Sequence, residues 1–202
     1  LRAGALWIAG NTDATLPSPR GLLPGNGAFV ALLADLTGRA PHVAGKPDPA
    51  LHRESVERVG AHRPLVVGDR LDTDIVGAVR GGADSLLVLT GVTDVAGLLR
   101  APDGSRPTYV STDLRGLLDA HPHVEVEGER SVCRAARAWR DGADVLVEGE
   151  GDDAVRAQVA LAWALSDRSV AASIEGRRLP RADGESRADG ESRADGESSA
   201  DG

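Results

Sequence analysis

The sequence is poor in several residue types. Its 202 residues include one cysteine, Cys133, no methionine, and only 2% aromatic residues. A single cysteine excludes an internal disulfide, so we expect a reducing, cytoplasmic environment. We recognise no signal peptide, and no apolar run approaches the roughly 18 residues that a membrane-spanning helix needs. The scarcity of aromatic residues predicts a core packed with Val, Leu, Ala and Ile.

The charge balance is acidic, with a formal net charge of −8. This balance argues against a nucleic-acid backbone as partner, because phosphates attract basic surfaces. Arginine dominates the 23 basic residues, and Lys46 is the only lysine. Lysine is a compact point charge, whereas arginine is a planar fork, so one lysine in an arginine-rich chain suggests a chemical role. Chance is the alternative explanation.

The end of the chain has low complexity. The six residues RADGES occur three times in succession from Arg181, and SADG follows them. No residue of this stretch is apolar and larger than alanine, so it cannot bury enough surface to offset its ordering entropy. We therefore expect a disordered tail over residues 177–202.

Residues 41–120 alternate short apolar runs with helical patterns. The runs HVAG, PLVV, SLLVLTG and TYV are predicted strands, and the last precedes a helix that Ser111 or Thr112 would cap. Continuous apolar strands separated by helices are typical of a parallel sheet that is covered on both faces. The pattern thus predicts an α/β fold, a three-layer doubly wound parallel sheet.

Different patterns flank this segment. Within residues 1–40, the stretch ALWIAGNTD is a predicted strand, LPSPRGLLPGNG a Pro/Gly loop, and AFVALLADLTG an amphipathic helix that ends at Gly38. Residues 121–176 form a predicted small α+β C-terminal unit. Its hairpin turns at Asp141–Gly142, and a helix follows.

The residues that could bind a ligand or take part in catalysis follow two of the predicted strands. Ligands of parallel α/β sheets bind beyond the carboxyl ends of the strands, so Lys46 and Asp69 should meet in one crevice. Asp74 lies five residues after Asp69. These carboxylates suit Mg²⁺, which would also remove their mutual repulsion, and Lys46 would attract a phosphate. Helix capping is the alternative role for such acidic residues, and for Asp72 in particular.

Several motifs carry a resemblance to a known family. The stretches GKPDP, VVGDRLDTDIVGA, LLVLTGVTD and NTDATLPSPRGLLPGNGAFVALL resemble the second half of the haloacid dehalogenase (HAD) superfamily. More narrowly, they resemble its large-cap phosphatases, the 4-nitrophenylphosphatase and phosphoglycolate phosphatase group. On this resemblance residues 1–40 are the end of the cap domain, and residues 41–120 are the second half of a HAD-like Rossmannoid core. Residues 121–176 are similar to the appendage of actinobacterial glycerol 3-phosphate phosphatases.

The resemblance implies roles for particular residues. Lys46 would hold a phosphoaspartyl intermediate, and Asp69 and Asp74 would form the Mg²⁺ site, with Asp69 binding the metal and Asp74 supporting it. Asn11 and Asp13 match the stretch where the cap returns to the core and are expected to bind substrate. The substrate would be a small phosphorylated metabolite.

The sequence also departs from the family pattern. The nucleophilic aspartate of the DxD motif and the phosphate-binding serine or threonine have no counterpart here, since Asp69, and not the DTD of residues 72–74, directly ends its strand. We therefore expect a fragment of a Mg²⁺-dependent phosphatase that hydrolyses a small phosphate monoester and is inactive alone. A homodimer or a complementing N-terminal half would be its partner. The alternative is a non-catalytic remnant or a phosphate-ligand-binding module completed by another polypeptide.

Overall fold

A computed structural model describes residues 1–167, so the predicted disordered tail, residues 177–202, lies outside the described residues. The strands are β1 (Ile8–Ala9), β2 (Thr15–Ser18), β3 (Gly21–Pro24), β4 (His42–Val43), β5 (Leu65–Gly68), β6 (Asp84–Val88), β7 (Tyr109–Ser111), β8 (Glu125–Glu127), β9 (Arg130–Cys133), β10 (Ala136–Asp141) and β11 (Asp144–Glu148). The α-helices are α1 (Asn26–Thr37), α2 (Ala50–Val59), α3 (Val76–Gly81), α4 (Val95–Leu99) and α5 (Gly151–Asp167). Among these helices, none combines the length and the hydrophobicity that spanning a bilayer requires.

The predicted parallel strands are present. β5, β6 and β7 form one parallel sheet in that order, with Leu65 opposite Asp84 and Leu86 opposite Tyr109. Each connection between these strands contains a helix, α3 in the first and α4 in the second. β1 and β4 form a second, two-stranded parallel sheet. The prediction of an α/β fold with parallel strands and intervening helices is confirmed.

One edge of the three-stranded sheet has no partner strand. β5 pairs only with β6 among the described strands, and β4 belongs to the other sheet. The side chains of Leu65 and Val67 on β5 are 40% and 37% exposed. Strands of a doubly wound sheet are normally buried on both faces, so this apolar edge is a surface on which a further strand could pair.

The prediction of a Pro/Gly loop before α1 is wrong, because β2 and β3 form an antiparallel hairpin there. Ser18 pairs with Gly21 across the turn, and Gly21 has a positive φ of 107°. The Ser18 hydroxyl donates to the carbonyl of Gly21 at 2.8 Å and accepts from the amide of Arg20 at 3.2 Å. Both strands are edges, so Pro17 and Pro24 are tolerated although they lack an amide hydrogen.

Helix α1 follows this hairpin as predicted and ends at Gly38, which adopts a left-handed conformation with φ 64°. Its apolar side chains are largely uncovered in the described part of the chain. The exposed large apolar residues of α1 are Phe29, Leu32, Leu33 and Leu36. The amphipathic pattern therefore predicted the helix correctly, but no described element covers its apolar face.

The C-terminal unit consists of a four-stranded antiparallel sheet, in the order β11-β10-β9-β8, and helix α5. The predicted hairpin is present, with Asp141 opposite Asp144. Helix α5 lies between this sheet and the parallel sheet. Its fully buried Leu161 and Leu165 belong to the same apolar cluster as Leu87 of β6 and Leu98 of α4. The two sheets therefore share one hydrophobic core.

The segment after β7 differs from its prediction. A single 3₁₀ turn, Leu114–Leu117, replaces the expected helix, and Asp113 caps it by accepting from the amide of Arg115 at 2.8 Å. Neither Ser111 nor Thr112 is the cap. The hydroxyl of Ser111 and the backbone amide of Thr112 instead donate to the carboxylate of Asp152 at the start of α5, each at 2.7 Å. Ser111 and Thr112 thus bind Asp152, a residue about forty positions away, and do not cap a helix that follows them.

Candidate functional site

The predicted site residues meet where the two parallel sheets come together. Lys46 follows β4, Asp69 follows β5 directly, and Asp13 follows β1. Each therefore lies beyond the carboxyl end of a parallel strand, which is the usual ligand side of such sheets. Asp74 reaches the same place from the short π-helical turn Leu71–Ile75 after β5.

The Asp74 carboxylate is the centre of this cluster. Its Oδ1 accepts from Lys46 Nζ at 2.9 Å, and its Oδ2 accepts from the backbone amides of Asp69 and Arg70, both at 3.2 Å. Gly68 makes room for it, because an added Cβ at that position would overlap the Asp74 carboxyl group. With both oxygens bonded, Asp74 holds the turn and Lys46 in place.

Asp69 is arranged differently. Its Oδ2 accepts from the amide of Val92 at 2.7 Å, whereas its Oδ1 has no hydrogen bond within residues 1–167. The loop after β6 supports it on one side, since its carbonyl also accepts from the amide of Thr93 at 3.0 Å. Gly91 is required there, because an added Cβ would overlap the Asp69 carboxylate. Asp69 thus offers one free carboxylate oxygen beside Asp74.

Lys46 lies between two carboxylates. Its Nζ is 2.9 Å from Asp74 Oδ1 and 3.1 Å from Asp13 Oδ2, and its side chain is about one-third exposed. Burial alone lowers the pKa of Lys46, but its hydrogen bonds to Asp74 and Asp13 and their negative charges outweigh that effect and raise the pKa. Lys46 therefore remains a cation at neutral pH while keeping a face open to a ligand.

Arg70 is part of the cluster, although no sequence motif predicted a role for it. Its side chain is buried and donates to both carboxylate oxygens of Asp72, at 3.1 and 2.7 Å. It also donates to Thr15 Oγ1 at 3.1 Å. Asp72 consequently serves as the partner of Arg70 and caps no helix. The signal in the sequence was an arginine placed among aspartates directly after a buried strand.

Asn11 and Asp13 lie in the segment after β1. Asn11 Oδ1 accepts from the amide of Asp13 at 3.1 Å, and its carbonyl accepts from Asn26 Nδ2 at 2.6 Å. Asp13 directs its carboxylate towards Lys46 and towards Arg70, whose Nε is 3.8 Å away. The structure therefore brings Asp13 into direct contact with one other predicted residue, Lys46, while the hydrogen bonds of Asn11 go to Asp13 and Asn26.

The electrostatics of the cluster favour an added cation. Four carboxylates and two basic side chains leave a net charge of −2; the acidic members are Asp13, Asp69, Asp72 and Asp74, and the basic members are Lys46 and Arg70. Among residues 1–167 no three acidic, His or Cys side chains converge as a complete metal site. One free carboxylate oxygen fits a hard cation that keeps most of its ligands as water or phosphate oxygens.

A comparison with family models agrees with this arrangement. The model described as HAD-hydrolase-like matches residues 43–117. This range contains Lys46, Asp69 and Asp74, as well as Gly91 and Val92, which support Asp69. The matched segment is thus the part of the chain that holds most of the cluster.

Curated relatives are phosphatases. D-glycerol 3-phosphate phosphatase of Mycobacterium tuberculosis is 57% identical over 117 residues, which are 58% of this chain and 33% of that protein. Dihydroxyacetone phosphatase of Corynebacterium glutamicum is 39% identical over 118 residues, or 57% of this chain and 42% of that protein. The matched segments thus span less than half the length of these two relatives.

Solved structures extend the similarity. A glycerol phosphate phosphatase from M. tuberculosis, in complex with magnesium, superposes with a TM-score of 0.64 at 41% identity and covers 87% of this chain and 52% of its own. The same enzyme was solved with calcium. 4-Nitrophenylphosphatase from Thermotoga maritima gives a TM-score of 0.53 at 37% identity, covering 59% of this chain and 46% of its own. Residues 43–117 therefore match the HAD-hydrolase-like family model, and the relatives to which this chain is similar are phosphatases.

Proposed function

We propose that this chain is the metal- and phosphate-holding part of a Mg²⁺-dependent HAD phosphatase that hydrolyses a small phosphate monoester. One observation carries the proposal. The Lys46 ammonium is 2.9 Å from Asp74, whose other oxygen accepts from the amide of Asp69, so a cation for phosphate and a carboxylate for metal lie side by side. The substrate of the M. tuberculosis relative, glycerol 3-phosphate, is the first ester to assay.

Each residue has a distinct part in the proposed chemistry. The free oxygen of Asp69 would bind Mg²⁺, and Asp74 would support that site through the turn that it holds. The Lys46 ammonium would bind a phosphoryl oxygen and offset the negative charge that develops during transfer. When bound, Mg²⁺ supplies charge neutralisation to the same phosphoryl oxygens.

The nucleophile of this family is an aspartate that has no counterpart in the sequence, so we expect no turnover from the chain alone. The expected reaction passes through a phosphoaspartyl intermediate, and the attacking carboxylate must come from outside the 202 residues. Mg²⁺-dependent release of phosphate by the purified chain, abolished by Asp69→Asn, would contradict this expectation.

Magnesium binding tests the site without catalysis. Isothermal titration with MgCl₂ in the presence of inorganic phosphate should show binding that Asp69→Asn weakens by about 10- to 100-fold or more. Asp48→Asn is the matched control, because Asp48 lies two residues from Lys46 but accepts from the amide of Ala50 at 2.8 Å. Equal affinities in Asp69→Asn and Asp48→Asn would remove Asp69 from the metal site.

A second candidate function is a phosphate-ligand-binding module completed by another polypeptide. The unpaired β5 edge, with Leu65 40% and Val67 37% exposed, favours it because an apolar parallel strand ordinarily has neighbours on both sides. The two candidates can be separated by adding, as a separate polypeptide, the part of the M. tuberculosis relative that precedes its matched segment. Restored hydrolysis of glycerol 3-phosphate that needs Asp69 supports the phosphatase, whereas phosphate binding without hydrolysis supports the module.

A further inference from the structure

We propose that Asp13 is a positioning residue for Lys46, and that Arg70 and the glycine-rich start of α1 hold Asp13 in place. This inference goes beyond the proposed function, and it replaces the expectation that Asp13 contacts substrate. It concerns the geometry of one ammonium group, so its test does not depend on turnover.

Lys46 is held by carboxylates from two different segments of the chain. A lysine ammonium sits on a flexible four-carbon stem and has three donor hydrogens, so a single bond leaves it free to pivot. Asp74 supplies one contact at 2.9 Å, and Asp13 supplies a second at 3.1 Å from a different segment of the chain. Two contacts from two directions fix the ammonium and leave its third hydrogen for a ligand.

Among the described residues, the Asp13 carboxylate has no hydrogen-bond partner that competes with Lys46. Its Oδ1 is buried and has no hydrogen bond within residues 1–167, and Arg70 Nε is 3.8 Å away. Arg70 is only 6% exposed and is itself held by Asp72 and by the hydroxyl of Thr15. The buried guanidinium therefore attracts one oxygen of Asp13 while the other oxygen contacts Lys46.

The backbone around Asp13 is held by hydrogen bonds from two other segments. The amide of Gly27 donates to the carbonyl of Asp13 at 2.8 Å, and the amide of Thr12 donates to the carbonyl of Lys46 at 3.1 Å. Added Cβ atoms at Gly25 and Gly27 would overlap the carbonyl oxygens of Asp13 and Thr12. The glycines of PGNG thus allow the start of α1 to pack directly against the segment that carries Asp13.

A substrate-binding role for Asp13 fits this geometry less well. A carboxylate that faced a phosphate dianion would repel it, and Asp13 faces two cations of its own protein instead. Oδ1 of Asp13 is buried, and Oδ2, the oxygen that would accept a hydrogen bond from a substrate hydroxyl, already contacts Lys46. Asp13 therefore acts on a ligand through Lys46.

The single lysine makes the test direct. In protein labelled with ¹⁵N-lysine, Lys46 gives the only side-chain ammonium signal, because the 202 residues contain no other lysine. At fixed pH and without added ligand, the rate at which its protons exchange with water reports how firmly the group is held. We expect Asp13→Asn to accelerate this exchange by about two- to fivefold, the range for one part-exposed ion pair. Asp48→Asn should leave the rate unchanged.

Two further variants keep the proposal falsifiable. Thr15→Val removes only the hydroxyl that accepts from Arg70, so it should accelerate the exchange by less than Asp13→Asn does while the protein stays folded. Asp13→Glu restores the charge and should recover part of the slow exchange. An unchanged rate in a folded Asp13→Asn protein would overturn the proposal. If Asp13→Asn does not fold, an unchanged rate in Thr15→Val would overturn the part assigned to Arg70.

Discussion

Asp152, at the start of α5, accepts a hydrogen bond at 2.7 Å from the hydroxyl of Ser111, at the end of β7. The same carboxylate accepts from the amide of Thr112 at 2.7 Å and pairs with Arg156 at 3.1 Å. Arg156 in turn donates to the carbonyl of Val110 at 3.0 Å. These bonds attach the first turns of α5 to the edge strand of the parallel sheet, so the C-terminal unit is held by polar contacts as well as by the shared core.

Replacing Asp152 should loosen this attachment. Asp152→Asn removes the charge that binds Arg156 and leaves that part-buried guanidinium with fewer partners, so we expect the free energy of unfolding to fall by about 1–3 kcal/mol. Urea denaturation followed by circular dichroism measures the change. Asp35→Asn is the control, since Asp35 is exposed on α1. Equal stabilities of the two variants would show that the Asp152 network contributes nothing.

The Asp152 carboxylate should make the free energy of unfolding depend on pH. Burial raises the pKa of Asp152, but hydrogen bonds from Ser111 and Thr112 and the charge of Arg156 outweigh it and lower the pKa below the ordinary value. A carboxylate whose pKa is lower in the folded state stabilises the fold above its unfolded pKa, about 3.9, and this contribution disappears as the pH falls through the folded value.

The wild-type protein should therefore lose more of its free energy of unfolding than Asp152→Asn between pH 5 and pH 3, roughly the window set by that unfolded pKa. Urea denaturation at intervals across this window measures both slopes. Parallel curves for the two proteins would assign the acid sensitivity to other groups.

Gly91 should matter for metal binding although it has no side chain. Gly91→Ala places a Cβ where the Asp69 carboxylate lies, so the carboxylate must move, and we expect the affinity for Mg²⁺ to fall by about 10- to 100-fold. Gly104→Ala is the matched control, because an added Cβ there meets nothing within 4 Å. Titration calorimetry compares the two variants, and the same affinity in both would mean that Asp69 is not held as the structure indicates.

Leu98 tests whether the two sheets form one cooperative unit. It is fully buried on α4 in the cluster shared with α5, and its carbonyl accepts from Trp163 Nε1 at 3.0 Å. Leu98→Ala should lower the free energy of unfolding by about 2–5 kcal/mol. Leu118→Ala, at a position 86% exposed, should change it by less than about 0.5 kcal/mol.

If the core is continuous, tryptophan fluorescence and circular dichroism should report one transition for Leu98→Ala as they do for the wild type. Fluorescence follows Trp163 on α5 together with Trp7 and Trp139, whereas circular dichroism follows the whole chain. Two separated transitions would show that the C-terminal unit unfolds independently of the parallel sheet.

The candidate site was partly predictable because its residues follow strands with a clear apolar pattern. Lys46 and Asp69 each come directly after such a run, and ligand-binding residues are expected beyond the carboxyl ends of parallel strands. The strands β4 and β5 nevertheless belong to two different sheets. Asp72, one partner of Arg70, is only two residues away. Thr15 and Asp13, the partners that join Arg70 to the rest of the site, lie more than fifty residues away and could not be predicted from the sequence. The same holds for Ser111: the sequence predicts a local helix cap, but its hydroxyl donates a hydrogen bond to Asp152, 41 residues away.

The sequence by itself determined the parallel α/β pattern, the C-terminal hairpin and the identity of the residues that carry charge at the strand ends. These features depend on local periodicity and on turn chemistry, which neighbouring residues encode. The tertiary structure decided which charges meet: that Lys46 lies between Asp13 and Asp74, and that α5 joins two sheets into one core. Such contacts join distant segments, and they form only when burial of the apolar faces brings those segments together.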